Sequence, residues 1–468
     1  MSGWINFLSN LPEVAAPTQR RLSFKEKLKW TMVVLIIFYV LGLMPLFGLG
    51  ANALAQFEYL SIILAAQFGS IISLGIGPIV TASIVLQLLN GSGILKFDLT
   101  THEGKMMFQG TQKLLSIFFI IFEAAIYVFM GGLAPPETFM GTPFYFQLQL
   151  LLVFQLFLGG MLILFMDEVV SKWGFGSGLS LFIAAGVSQQ IFVQAFNWLP
   201  GPRGVAGVTY SAGAIPALFQ SLAAGDPGTA LLKISALVFT VVVFVMAVYS
   251  QAMKVEVPLS FGRIRGHGIR WPLAFIYTSN IPVILVAALM ANMQLFGRLL
   301  QNWGLPLLGK FSEITGRPIS GFVFWLESPN IVQSIITRSF TSISIGQAAV
   351  YTLFMVTGAV IFSIFWVQTA GMDARSQARQ MMASGLQIPG FRKDERVLER
   401  LLNRYIWPLT VMGAIAVGFL AATADLTGAL SRGTGILLAV MIVYRLYEEI
   451  AQQHMMDMNP MLRKFIGG

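Results

Sequence analysis

The chain has 468 residues, of which 56% are hydrophobic and only 11% charged, against roughly a quarter charged in an average soluble domain. That balance sets it apart from soluble globular enzymes, and the absence of cysteine excludes disulfides, thiolate metal sites and cysteine nucleophiles. A net charge of +9 would suggest a nucleic-acid partner in a soluble chain, but here the positions of the charges carry another meaning.

At the start, Trp4, Leu8 and Leu11 fall at helical spacing before Pro12, in a segment too short to cross a bilayer. The expectation is a helix lying in the membrane interface. The first apolar run begins only at Trp30, after a basic stretch, and lacks a small-residue cleavage exit, so it reads as a retained anchor. A bilayer core needs about 20 mostly apolar helical residues. Runs of that kind cover Trp30 to Gly50, Leu60 to Leu95, Leu114 to Pro136 (with one acid, Glu123), Phe139 to Met166 and Trp173 to Pro202. They resume over Ile234 to Met253, Trp271 to Gly297, Phe340 to Met372, Tyr405 to Ala424, and a tenth near Thr427 to Tyr444 interrupted by Arg432. The fold class is therefore an all-α polytopic membrane protein with ten transmembrane helices.

The second run is too long for one span and is cut by Gly69, Gly75, Gly77 and Pro78. Glycine and proline at that density break a helix, and broken backbone survives at membrane depth only beside protein or a water-filled cavity. The expectation is a short, non-crossing helix over Tyr59 to Gln67, a candidate plug, followed by a spanning helix from about Gly77 to Leu89. A kinked but ordinary span is the alternative.

Basic residues concentrate on alternate loops, from Arg20, Arg21, Lys25, Lys27 and Lys29 through Lys105, Lys172, Lys254, Arg270, Arg375 and Arg404 to Arg463 and Lys464. The positive-inside rule places those loops and both termini in the cytoplasm, which requires an even number of spans. Five spans precede the outside loop around Asn197 to Thr229 and five follow it. An odd number per half inverts the second half relative to the first, the topology in which a pathway forms between halves. The expected organisation is a cytoplasmic N-terminal segment (1–29), an N-terminal half (30–200), an outside hinge loop (201–229), a C-terminal half (230–449) and a cytoplasmic tail (450–468).

Catalytic chemistry is sparse. His102, His267 and His454 all fall in loops or the tail, and there is no H-E-x-x-H zinc motif. Gly176-Ser177-Gly178 does not match G-x-S-x-G, and no Walker A sequence occurs. An enzyme is not expected, and no cofactor is implied. Ion-coupled carriers keep charges along their pathways, whereas Glu123 is the one clear mid-span ionisable residue, at an insertion cost of about 2.5–3.5 kcal/mol. An inverted-repeat secondary transporter is nonetheless the alternative function, because broken helices serve carriers too. A pore-less assembly scaffold would not need the plug-like segment.

Leu74-Gly75-Ile76-Gly77-Pro78-Ile79-Val80-Thr81-Ala82 resembles the SecY family, the central subunit of the protein-conducting channel, and the likeness is to its archaeal branch. Phe24 to Trp30, Phe108-Gln109-Gly110, Asp167 to Lys172, Gly176-Ser177-Gly178, Leu181 to Gln189, Ser279 to Ile284, Gly390 to Lys393 and Gly433-Thr434-Gly435 match in the same order. The resemblance covers essentially the whole chain. It implies an hourglass closed by an aliphatic pore ring of Ile76, Val80, Leu179, Ile183, Ile284 and Leu438. It also implies a plug of Tyr59, Leu60, Ser61, Ile62, Ile63, Leu64, Ala65, Ala66 and Gln67, and a lateral gate marked by Thr81, Glu123 and Asn292. Two long basic loops, Lys254 to Arg270 and Asp373 to Arg404, would dock the ribosome and its RNA through Arg263, Arg265, Arg392 and Lys393. The implied partners are SecE-type and beta-type single-span subunits, the ribosome, signal peptides, nascent polypeptides and membrane lipid, with the chain multi-pass in the cell membrane.

Overall fold

The computed structural model describes residues 10–18, 22–52, 64–91, 94–95, 97, 101–203, 208–261, 268–278, 280–312, 316–383, 386–387 and 395–458. Among the described residues, ten helices of 15 residues or more follow one another: α1 (Phe24–Leu43), α2 (Gly77–Gly91), α3 (His102–Phe129), α4 (Pro143–Trp173), α5 (Gly178–Phe196), α6 (Pro227–Ala252), α7 (Ile281–Asn302), α8 (Ser342–Thr369), α9 (Glu395–Leu426) and α10 (Gly433–Met458). Seven helices among the described residues, α3 to α9, are long and apolar enough to cross a membrane. Of the other three, α2 has only 15 residues, α1 opens on Lys25, Glu26, Lys27 and Lys29, and α10 closes on Arg445, Glu448 and Glu449.

Local chemistry starts these helices. Ser23 Oγ accepts the Glu26 amide of α1 (3.4 Å), and Thr101 Oγ1 accepts the Gly104 amide of α3 (3.1 Å). Asp226 accepts the Thr229 amide (3.1 Å) ahead of α6, where Pro227 supplies a preset φ at the first position. Arg432 does not interrupt a span: α10 begins one residue later, so the arginine sits in the turn between α9 and α10. A buried knot ties that turn down. Asp425 of α9 accepts from Tyr351 Oη of α8 (2.5 Å), from the Thr434 amide (2.8 Å) and from the Thr434 hydroxyl.

The second apolar run is broken, as its glycines predict, but differently in detail. Helix α2 starts at Gly77. Leu64 to Gln67 form a turn and extended chain, not the last turn of a helix, and Ala65 takes a positive φ of 46°. Tyr59 to Ile63 lie outside the described residues. The Ile76 amide returns to Leu64 O at 2.7 Å, closing a loop through Gly75. Gly75 has φ +56°, and a Cβ there would stand 2.2 Å from Leu64 O, so the reversal requires glycine. The segment is seated by Leu46 N to Gly69 O (2.9 Å) and Ile71 N to Met44 O (3.0 Å). On its other side Ile71 O presses on α4, where a Cβ at Gly159 would lie 1.9 Å away.

Among the described residues, both long basic loops contain regular structure. Strands β1 (Lys254–Phe261) and β2 (Gly268–Ala274) form an antiparallel hairpin from Lys254↔Ala274 to Ser260↔Gly268. The second loop contributes β3 (Leu386–Gln387), which pairs with β1 through Ser260↔Gln387 and Phe261↔Leu386. It also holds a helix, Ala374–Ala383, and the first ten residues of α9. Leu273, Tyr277, Ala378, Met381, Leu398 and Leu402 form a small separate core beneath them. Amphipathic stripes of this kind contain too many charges to register as apolar runs. On the opposite end, the loop after α7 carries a hairpin (Gly309–Phe311 with Pro318–Gly321), and Arg317 lies 3.7 Å from Glu327. Burial pushes the Glu327 carboxyl up, opposed by Arg432 and Arg317.

Candidate functional site

A cavity of about 680 Å³ opens at the end bearing the basic loops. Its walls come from α2, α3, α5, α7, α8 and α10, so both halves of the chain contribute. Ile76, Val80, Leu179, Ile183 and Ile284 all line it, bringing five of the six residues expected in the ring onto one surface. Ile76/Val80 and Leu179/Ile183 are each four apart, which sets each pair on one side of its chain segment. Leu438 is fully buried, as Ile76 is, and α10 lines this wall with Ile442, Arg445, Leu446 and Glu449. Beside Ile76, Leu64, Ala65 and Ala66 are buried in the same core, at 0%, 3% and 5% exposure.

The floor is aliphatic and the upper wall polar. Ser83, Gln87, Gln109, Gln112, Ser177 and Ser180 line the wall with Lys105 and Arg445, a feature missed in the sequence because isolated Gln and Ser residues in apolar runs carry no period. Asp167 is another missed residue. From α4 it accepts the Leu179 amide at 2.9 Å, capping α5 at a residue of the aliphatic floor. The signal that could have found it is its position just before Gly176-Ser177-Gly178, where a helix N-terminus needs a cap.

Thr81, Glu123 and Asn292 come together although 211 residues separate the first and last. Asn292 Nδ2 of α7 donates to Thr81 Oγ1 of α2 at 2.8 Å, and that hydroxyl lies 3.1 Å from Glu123 Oε1 of α3. Glu123 is 1% exposed and Asn292 5%. This contact crosses between the two halves of the chain. Arg263, Arg265, Arg392 and Lys393 lie outside the described residues; the sheet and helices that carry their loops lie within them. No group of three or more His, Cys, Asp or Glu gathers to hold a metal ion among the described residues.

Membrane helices in two groups, a cavity between them and an apolar floor beneath it define a channel-type polytopic membrane protein. The chain belongs to the SecY family: the SecY family model matches residues 70–447. It is 46% identical to the protein translocase subunit SecY of Methanothermobacter thermautotrophicus, over 98% of this chain and 97% of that one. Its identity to the SecY subunit of Methanocaldococcus jannaschii is 42%, over the whole of both chains. Among solved structures it is similar to a protein-conducting channel at a TM-score of 0.82, with 42% identity and 97% of each chain covered. Sec61 in the canine ribosome–channel complex from the endoplasmic reticulum gives 0.79 and 41%, again over 97% of each chain.

Proposed function

We propose that the chain is the pore-forming subunit of a Sec-type protein-conducting channel, passing secretory polypeptides across the membrane and releasing membrane helices sideways into it. The observation that carries this is the cavity floor. Five aliphatic side chains from α2, α5, α7 and the turn before α2 line one cavity together with Ser83, Gln87, Gln109 and Gln112. Such side chains offer a moving polypeptide no hydrogen bonds, and an apolar constriction closes to ions by dewetting. A carrier needs polar groups at this depth to bind its solute. The role is passive and non-catalytic in this reading.

In this reading all ten helices span, in two inverted halves of five, divided as 1–29, 30–200, 201–229, 230–449 and 450–468. Both termini and the basic loops face the cytoplasm of a cell whose plasma membrane holds the channel. Ile76, Val80, Leu179, Ile183, Ile284 and Leu438 form the ring. The segment from Tyr59 to Gln67 is the plug, anchored at Leu64 to Ala66. Thr81, Glu123 and Asn292 latch a lateral gate. Interhelical polar contacts in membranes average about 0.6 kcal/mol and reach about 1.7, so losing one shifts the gate equilibrium by about 3- to 18-fold. In vesicles containing the chain, Asn292→Ala therefore admits polypeptides with weakened signals that the wild type rejects, while intact signals pass in both. Saturable uptake of a small solute, with no polypeptide transit, would establish the carrier instead.

The partners in this reading are SecE-type and beta-type single-span subunits, signal peptides, nascent chains, lipid and the ribosome. Solved relatives support the last: one is Sec61 in a ribosome–channel complex. Arg263, Arg265, Arg392 and Lys393 provide cations for ribosomal RNA, and the β1–β3 pairing makes one platform of their two loops. Each phosphate contact adds about 0.7–0.9 to the slope of log affinity against log salt. Reversing Arg265 and Arg392 to glutamate lowers that slope by about 1.4–1.8 and weakens ribosome binding; unchanged binding and slope would remove both residues from the interface.

A further inference from the structure

The run Asp167 to Lys172, at the end of α4, does more than cap α5. Glu168 Oε2 accepts the Val14 amide at 2.9 Å, and its other oxygen pairs with Lys113 of α3. Lys172 Nζ donates to Val14 O at 2.6 Å and pairs with Glu13, and Trp173 Nε1 donates to Ala15 O at 2.9 Å. The Lys172 ammonium holds the Glu13 carboxyl below its ordinary range. Residues 13 to 15 are thus gripped through main chain and side chain together, and the indole of Trp173 packs on Trp30 (5.6 Å between centroids).

The same N-terminal stretch reaches the other half of the molecule. Gln453 Nε2 of α10 donates to Leu22 O at 3.1 Å, and the Phe24 ring lies 5.5 Å from His454 and 5.6 Å from Phe175. Under the first grip is a second cavity of about 400 Å³, lined by Leu11 and Glu13 on one side and by Ile79 and Leu179 on the other. Ile79 precedes Val80, and Leu179 lines both cavities. The stretch is therefore attached at α4 and at α10, and lies over a hollow lined by Ile79 and Leu179.

We propose that the described residues 11–18 and 22–24 act as a strap that latches the cavity rim in its closed state, with Glu168 and Lys172 as the latch. Two features suit it to that role. The strap joins the ends of helices from opposite halves, which must separate if the funnel widens. Its grip at 13–15 is made of partly exposed ion pairs and main-chain bonds, each weak enough to be released singly. The inference rests on the channel reading, and the following experiment separates the two.

The chain has no cysteine, so Glu13→Cys with Lys172→Cys can be bridged by a short bismaleimide in the full-length protein. In planar bilayers with signal peptide added, the unbridged variant opens about threefold more often than wild type, and the bridged protein stays closed. Lys172→Met behaves as the unbridged variant, whereas Lys172→Arg, which keeps the cation, behaves as wild type. Equal opening of bridged and unbridged protein overturns the latch, even if both melt at a lower temperature than wild type, because a merely structural contact moves stability and not the response to bridging. Failure of the bismaleimide to link the two cysteines overturns the grip itself. If no form conducts, including one lacking residues 59–67, the channel reading falls and the latch with it.

Discussion

Asp425→Ala lowers the stability of the folded chain by about 3–5 kcal/mol, the largest effect expected of any single side chain outside the cavity. Asp425 is 7% exposed, and its partners Tyr351 and Thr434 are each 1% exposed. Truncation leaves the Tyr351 hydroxyl, the Thr434 amide and the Thr434 hydroxyl without their shared acceptor. A buried polar group deprived of its partner costs about 1–3 kcal/mol, and the protein interior offers no water to replace it. Asp425→Asn retains a carbonyl oxygen for the Thr434 amide and costs about 1 kcal/mol. Thermal unfolding of the detergent-solubilised protein reads both. A shift below about 1 kcal/mol for the alanine variant would mean that α8, α9 and the start of α10 are held by packing alone.

Much of this architecture was legible in sequence because the bilayer simplifies the code. A spanning helix must be apolar around its whole circumference, so run length alone places α3 to α9, and charge asymmetry orders the loops. Gly75 and Gly77-Pro78 announced the break before α2 for the same reason: at membrane depth such residues have no other use. The soluble parts were harder. The strand pairing Ser260↔Gln387 joins residues more than a hundred positions apart, and short polar strands carry no signal for a partner at that distance. The start of α9 at Glu395 was hidden because its charged outer face breaks the apolar run while Leu398 and Leu402 are buried inside.

The candidate site divides along similar lines. Thr81, Glu123 and Asn292 were recognisable singly as polar residues in apolar runs, and the resemblance joined them; the contact through Thr81 Oγ1 shows the geometry that joins them physically. Leu438 illustrates the limit. Nothing in an aliphatic residue's identity says whether it faces a cavity or a neighbouring helix, and its burial is as complete as that of Ile76. The Glu168 and Lys172 contacts were invisible for another reason: both bond the main chain of Val14, as the neighbouring Trp173 bonds that of Ala15, and a main-chain partner leaves no trace in sequence.

The second large effect concerns the seal. The Ile76 amide bonds Leu64 O, Leu64 to Ala66 are buried in the core beside the floor, and Gly159 leaves just enough room for Ile71. Leu64 to Ala66 are thereby anchored beside Ile76, and in the proposed reading removing Tyr59 to Gln67 strips the pore of its backing while leaving the ten helices in place. Electrical recording in planar bilayers, comparing the wild-type chain with that deletion, tests the central claim most directly. A closed wild type and a deletion variant that conducts ions in discrete openings is the result this account requires. Silence from both, accompanied by tight binding or saturable flux of a small solute, would contradict it and make the aliphatic floor a packing surface within a carrier.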